Sequence, residues 1–180
     1  MPATATATVT PAAWIGCLHC YNCGHLVGQW FDAIDADEVT LADVHRGTDR
    51  LTRQCEELWV MDHEGLPVSS EMSPMDAAVW AQEITAVADF LQPAYFAWIK
   101  GSGYSDPDEP CIDDFEERYC GEWDDFAEYA HQLVDEIGLL IDVPEEVSRY
   151  FNWDSWTRDL AHDYTTEPSP DGGVFVFRSL

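Results

Sequence analysis

Positive charge is the scarcest property of this 180-residue chain, which carries one Lys and seven Arg against thirty-five Asp and Glu. A formal net charge of −27 at pH 7 disfavours nucleic acids and anionic lipid surfaces as direct partners, because both are polyanions. The chain also lacks any apolar stretch close to the ~20 residues of a membrane-spanning helix. A basic protein surface is the partner that this composition predicts.

Signatures of catalysis and of targeting are missing too. The sequence has no Gly-x-Ser-x-Gly element, no phosphate-binding glycine loop and no His-Glu-x-x-His zinc helix. Its Ala- and Thr-rich start has neither the basic residues nor the apolar core of a secretory signal. We therefore expect a cytoplasmic protein that is not an enzyme and needs no cofactor, with residues 1–12 as a disordered tail and with reduced cysteines.

Aromatic residues distinguish this chain from disordered acidic segments. Eight Trp, seven Tyr and eight Phe accompany an apolar fraction of 46%. Disordered acidic chains lack such residues and cannot bury enough surface to fold, so we expect a folded body that holds its acids on a rigid surface. Repulsion between fixed like charges destabilises a compact state, which implies that function or a very salty habitat offsets the penalty.

Periodicity and turn signals predict an α+β fold with a small antiparallel sheet near each end and helices between. Strands are predicted at residues 14–18, 26–31 and 58–61, and as a closing hairpin at 164–167 and 174–177. Thr40 and Ser73 are predicted N-caps, and Pro74 suits the first position of a helix whose apolar period runs to residue 91. Further helices are expected at 94–99, 123–137 and 153–160, and after Pro144.

Negative charge is concentrated between residues 104 and 146, where sixteen acids accompany one base and give a net charge of −15 over 43 residues. Within the helix predicted there, Phe126, Ala130, Leu133 and Ile137 form the expected inner stripe, and the acids lie mostly off it. A solvated face, adaptation to high salt and imitation of a phosphate backbone all remain open from composition. Duplex DNA carries one charge per ~1.7 Å of axis, so 27 charges match roughly 46 Å of duplex.

One local cluster has the residue types of a metal site. Residues 17–25 contain three thiols and two imidazoles, and the candidate ligands among them are Cys17, Cys20, Cys23 and His25. A strand through residue 18 would place Cys17 and Cys20 on opposite faces, and the remaining cysteines form no second close pair. We therefore predict no metal site, and a small zinc-binding protein built on this cluster is the alternative interpretation.

Several segments together resemble the ArdA antirestriction family. The opening strand, turn and strand lie at residues 14–18, 21–24 and 26–33, and the Tyr-x-Gly-Glu segment with its acidic helix lies at 115–123, 126–127 and 135–138. A closing pattern follows at residues 150–151, 158–160 and 172–178. The resemblance extends over roughly residues 13 to 178, and it lies in the order and spacing of these segments. The sequence departs from the family pattern at an insertion, residues 105–110, and in its Cys-rich first turn.

The resemblance implies a DNA mimic that inhibits type I restriction-modification enzymes by filling the DNA groove of their specificity and methyltransferase subunits. It also implies an elongated homodimer of chains with three small lobes, here residues 13–64, 65–103 and 104–180. The acids assigned by position are Asp113, Asp114, Glu116, Glu117, Glu122, Asp124, Asp125, Glu128, Asp135, Glu136, Glu145 and Glu146. The dimer contact is expected on the helix at 127–140, through Leu133, Val134, Ile137, Leu139 and Leu140.

Overall fold

The computed structural model describes residues 10–104 and 112–179. The predicted tail lies largely outside these ranges, and the insertion at 105–110 lies wholly outside them. The chain is α+β, as predicted, with two three-stranded antiparallel sheets. It divides into two compact units, unit 1 (Met1–Gln92 with Gly103–Pro110) and unit 2 (Pro93–Ser102 with Cys111–Leu180). The division into three lobes stays a prediction.

Unit 1 contains a three-stranded sheet, as predicted, and its strand order is β2-β1-β3. Its elements are β1 (Ala12–Cys17), α1 (Leu18–Asn22), β2 (Gly28–Asp32), a 3₁₀ helix (Ala33–Glu38), α2 (Leu41–Val44), β3 (Leu58–Glu64) and α3 (Pro74–Ala86). Alternate residues of β1 point to the core, so that Ala13, Ile15 and Cys17 are fully buried. Helix α3 packs mainly on the 3₁₀ helix and also contacts β1 and β3, and its Trp80 is fully buried.

Both predicted N-caps in unit 1 are confirmed as capping boxes. The Asp43 N–H donates to Thr40 Oγ1 at 3.3 Å, and the Thr40 N–H donates to the Asp43 carboxylate at 3.1 Å. The Thr40 hydroxyl also donates to the Asp43 carboxylate, and this bond together with that from the Thr40 N–H holds the pKa of Asp43 below its usual range. Ser73 and Asp76 form the same reciprocal pair, with Pro74 following at the first helical position. Helix α3 ends at Ala86, five residues before the predicted end.

The outer face of the unit 1 sheet requires two glycines. Gly16 of β1 pairs with Gly28 of β2, and the indole of Trp14 lies across both. A Cβ added to Gly28 would lie 2.3 Å from the Trp14 ring, and one added to Gly16 would lie 2.6 Å from it. The ring can cover the strands only because neither glycine has a side chain.

Unit 2 contains the second sheet, in the order β4-β6-β5. Its elements are most of α4 (Gln92–Ser102), then α5 (Ile112–Arg118), β4 (Tyr119–Trp123), α6 (Phe126–Glu136), α7 (Glu145–Ser148), α8 (Trp153–Leu160), a short 3₁₀ helix (Ala161–Asp163), β5 (Tyr164–Pro168) and β6 (Val174–Arg178). The predicted closing hairpin is confirmed as β5 and β6. None of the helices in the described ranges is long and apolar enough to cross a membrane.

Aromatic side chains make the core of unit 2. Phe115 of α5 is buried, with its ring edge-on to Tyr95 at 5.2 Å and stacked on Tyr119 at 5.3 Å between centroids. Trp98 and Phe177 complete this group at 5.8 and 6.3 Å from Phe115. Such ring pairs add specific geometry to the burial of apolar surface, so α5 is fixed firmly to its unit.

Two sequence predictions for unit 2 were wrong. Trp123, the predicted start of the helix at 123–137, is instead the last residue of strand β4, and the helix begins at Phe126 after its N-cap Asp125. The buried face of α6 consists of Tyr129, Ala130 and Val134, so Ala130 is the one member of the predicted inner stripe that is fully buried. The predicted stripe and the observed buried face are both apolar and share Ala130, and packing against the sheet determines which of the two is buried.

Candidate partner-binding surface

The twelve acids predicted to bind a partner all lie in unit 2, on α5, β4, α6, α7 and the connection before α6. Eleven are exposed, and Asp114 is half-buried. Helix α5 alone carries Asp113, Asp114, Glu116 and Glu117 in seven residues, with buried Phe115 between them. The local sequence explains this division, because an apolar residue among acids turns one face to the core and the remaining faces to solvent.

Glu116 and Glu117 are poorly placed to stabilise α5, whereas Asp113 and Asp114 lie in its first turn, where the helix dipole favours acids. Asp113 lies three residues before Glu116 and four before Glu117, so like charges repel on one face. Glu116 and Glu117 also lie in the last turn, where the helix dipole favours cations rather than anions. A contribution to folding stability therefore does not explain why Glu116 and Glu117 are acidic.

Strand β4 carries an irregularity next to one predicted acid. Its register on β6 shifts between Tyr119 and Glu122, and Gly121 has a φ of +104°, which only glycine adopts readily. Beyond this bulge, Glu122 is exposed and accepts a hydrogen bond from the Ser169 hydroxyl. Burial raises the pKa of Tyr119, and the negative charge of Glu122 raises it further. Glu122 is thus the one exposed residue of β4, whose other four residues are half-buried.

Two of the predicted acids are also structural caps of α6. The Glu128 N–H donates to Asp125 Oδ1 at 2.9 Å, and the Asp124 N–H donates to Glu128 Oε2 at 2.9 Å. This arrangement satisfies two donors at the start of the helix. Asp125 and Glu128 therefore contribute to folding as well as to charge, and experiments must separate the two contributions.

Replacing Asp125 by Ala and by Asn separates cap from charge. Asp125→Ala should lower the free energy of unfolding by about 1 kcal/mol, whereas Asp125→Asn should change it by only a few tenths, because Asn caps about as well as Asp. Urea unfolding measures both values. Both variants remove one negative charge, so we expect equal losses of partner affinity. A loss of stability in Asp125→Asn as large as in Asp125→Ala would contradict the assigned capping role.

The residues predicted for a dimer contact differ in solvent exposure. Val134 is only 1% exposed and packs within unit 2, whereas Ile137 is 56% and Leu139 40% exposed. Leu133 and Leu140 are half-buried. Helix α6 ends at Glu136, so Ile137 and the residues after it lie in the turns that follow the helix. The dimer contact itself stays a prediction.

The candidate metal ligands are grouped differently from the prediction. Strand β1 ends at Cys17 and the chain turns into α1, so Cys17 and Cys20 share one side instead of opposite strand faces. Cys23 and His25 are exposed and lie apart from them, with Cys23 Sγ 3.7 Å from His19 Nε2. The structure instead brings Cys55 and His45 to Cys17 and Cys20, in one buried group. No local pattern links Cys55 or His45 to the first cysteines, so the sequence alone could not reveal this group.

The thiols of this buried group differ in the direction of their pKa shifts. Burial raises the pKa of the Cys20 thiol to about 12, and contacts with the thiols of Cys17 and Cys55 add to the increase. Hydrogen bonds from the Thr52 hydroxyl and N–H lower the pKa of Cys55. His45 is 3% exposed, and neither ring nitrogen has a hydrogen-bond partner within residues 10–104 and 112–179. Leaving a buried polar group unpaired costs roughly 1–3 kcal/mol, so this histidine is not an ordinary satisfied core residue.

These features define an acidic α+β protein with an aromatic core and a carboxylate-rich outer surface. A family model, that of the antirestriction protein ArdA, matches residues 13–175. The chain therefore belongs to the ArdA antirestriction family, as its sequence pattern predicted, and its function is antirestriction. No curated protein matches the chain.

Proposed function

We propose that this protein mimics DNA and inhibits type I restriction-modification enzymes by occupying the DNA-binding groove of their specificity and methyltransferase subunits. The observation that carries the proposal is the set of exposed acids on α5, β4 and α6, held by the aromatic core of unit 2. Membership of the ArdA family supports an antirestriction role and an interaction with restriction-modification enzymes. The mimicry and the type I target are our inference.

Charge density on α5 is of the order found in DNA. Four acids fall in seven residues, and a helix rises 1.5 Å per residue, so one carboxylate occurs per about 2.6 Å of helix axis. Duplex DNA, counting both strands, has one phosphate charge per about 1.7 Å. A basic groove that evolved to bind phosphates attracts such a surface and is blocked when the surface is rigid enough to stay in place.

Rigidity is the second requirement of mimicry, and the packing of α5 supplies it. The helix contributes Phe115 to a ring cluster that includes residues of α4, β4 and β6. A disordered acidic chain would lose conformational entropy on binding, whereas a surface already ordered by its core loses much less. The free energy of folding then overcomes the repulsion between like charges, so this repulsion does not weaken binding to the enzyme.

A homodimer would extend this surface, and we propose that its contact lies after α6. Ile137, Leu139 and Ile141 are exposed apolar residues at alternate positions of the chain. Exposed apolar side chains that are close together are typical of protein–protein contacts. Sedimentation velocity at increasing protein concentration tests this proposal, and a monomer at every concentration would contradict it.

Competition with DNA tests the proposed mechanism. The protein should displace labelled duplex from a type I methyltransferase at about 50 mM salt, and its half-inhibitory concentration should rise at least about tenfold at about 200 mM, because screening weakens attraction between charged surfaces. Circular dichroism at the lower salt concentration should show a folded protein, which separates this mechanism from salt adaptation. Failure of the folded protein to displace DNA at low salt would reject the proposal.

A further inference from the structure

Four potential metal ligands meet in the interior of unit 1. Cys17, Cys20, His45 and Cys55 are 0, 4, 3 and 5% exposed, and one ligand atom from each lies within 4.8 Å of the other three. The Sγ atoms of Cys20 and Cys55 are 4.0 Å apart. Three thiols and one imidazole are a donor set typical of structural zinc sites.

The spacing of these atoms is close to that of a coordinated ion. Zinc lies about 2.3 Å from sulfur and about 2.0–2.1 Å from nitrogen, so neighbouring ligand atoms of a tetrahedral site are roughly 3.4–3.8 Å apart. The observed separations exceed this range by at most about 1 Å. Small side-chain rotations would therefore close the group around an ion without a rearrangement of the backbone.

His45 is the observation that separates a metal site from ordinary packing of cysteines. Buried thiols behave as small apolar residues and need no partner, but a buried imidazole needs one. Both nitrogens of His45 are buried and unpartnered among the described residues. Coordination would satisfy one of them with the donor set already beside it.

The loop that carries Cys55 gives a structural reason for an ion. Residues 45–57, between α2 and β3, contain neither helix nor strand, and within residues 46–57 Cys55 alone is buried. A loop of this length has few apolar contacts of its own to hold it. Thr52 approaches Cys55 Sγ with its N–H and its hydroxyl, each at 3.5 Å, in the manner of the outer hydrogen bonds that orient a metal-bound thiolate.

We propose that Cys17, Cys20, His45 and Cys55 bind one structural zinc ion that fastens the loop at 45–57 to β1 and α1. Zinc displaces the three thiol protons to solvent, and His45 donates the lone pair of one ring nitrogen, with no change of oxidation state. All four coordination positions are filled by buried side chains, which fits a structural rather than a catalytic ion. A Cys20–Cys55 disulfide is the competing state, and it would require the sulfurs to approach to about 2.05 Å and an oxidant to accept two electrons.

Metal analysis of the full chain, expressed with zinc and dialysed under reducing conditions, tests the proposal. We expect about one zinc per chain in the wild-type protein and in the Cys23→Ser control, whose thiol is exposed and outside the group. Cys55→Ser should lower the zinc content more than about tenfold. A wild-type chain without zinc, or equal losses in Cys55→Ser and Cys23→Ser, would overturn the proposal.

Cobalt substitution keeps the test decisive if Cys55→Ser does not fold. The wild-type protein, stripped of metal under reducing conditions and titrated with Co²⁺, should develop tetrahedral d–d bands together with thiolate-to-cobalt charge-transfer absorption, and Zn²⁺ should abolish both. The charge-transfer band should be unchanged in Cys23→Ser. Octahedral spectra without thiolate absorption, or a Cys20–Cys55 disulfide as the only state recovered from reducing preparations, would reject the site.

Discussion

Replacing Asp113, Glu116 and Glu117 together by Lys should raise the half-inhibitory concentration against a type I enzyme by at least about 100-fold while leaving unit 2 folded. The three side chains are exposed, and none forms a hydrogen bond or ion pair with another described residue. Reversal places cations against a groove that binds phosphates, and such like-charge contacts cost several kcal/mol, where each ~1.4 kcal/mol is a factor of ten. DNA competition measures the change.

Stability should change little in this triple variant, because the gain at two positions offsets the loss at the third. Lys at positions 116 and 117 lies in the last turn of α5, where the helix dipole favours positive charge. Lys at position 113 replaces an acid of the first turn, where the dipole favours negative charge, so the urea midpoint should stay about equal. A large loss of stability would show that the acids have a structural role that their geometry does not reveal.

A matched reversal in unit 1 controls for net charge. Asp35, Asp37 and Glu38 are exposed acids on the 3₁₀ helix, and changing them to Lys alters the total charge by the same amount. We expect a much smaller loss of inhibition from this control, because overall charge acts mainly on encounter rate and is screened by salt. Equal losses in both triple variants would mean that net charge, rather than the α5 surface, determines inhibition.

Phe115→Ala should lower the free energy of unfolding of unit 2 by about 3–5 kcal/mol, the largest stability effect that we expect from a single substitution. The ring is 1% exposed and contacts Tyr95, Trp98, Tyr119 and Phe177, so its removal leaves a cavity among rigid aromatic neighbours. Urea unfolding measures the loss. Because Phe115 anchors the helix that carries four of the candidate acids, inhibition should weaken even where the variant remains folded.

The chain offers a matched control for this substitution. Phe90 is 81% exposed, so Phe90→Ala should change the free energy of unfolding by no more than about 0.5 kcal/mol. Phe115→Leu retains most of the buried volume and should fall between the two. A loss below about 1 kcal/mol in Phe115→Ala would contradict the assignment of Phe115 to the core of unit 2.

Local chemistry was readable in the sequence wherever a few neighbouring residues determine the structure. The caps at Thr40 and Ser73 depend on a side chain and the backbone three residues away, so their capping boxes were predictable. The closing hairpin depends on a turn-forming Pro-Asp-Gly-Gly segment that joins β5 to the apolar strand β6. The excess of acids over bases is likewise a property of composition alone, and by itself it predicts a basic protein partner.

Longer-range packing decided the rest. Residues 119–123 are short and interrupted by Gly121, so only their pairing with β6 identifies them as a strand. The apolar residues of α6 fit two stripes, and contact with the sheet buries Val134 rather than Ile137. Periodicity within one helix cannot choose between such faces, because the choice depends on what packs against it.

The buried cysteines show the same limit most clearly. The sequence by itself determined that Cys17 and Cys20 lie close along the chain, and it suggested Cys23 and His25 as their companions. The tertiary structure replaced those two by His45 and Cys55, because β1 ends at Cys17 and the loop before β3 returns beside it. Ligands that are distant in sequence meet only once the strands have paired, and that pairing is fixed by burial of the whole sheet rather than by local residues.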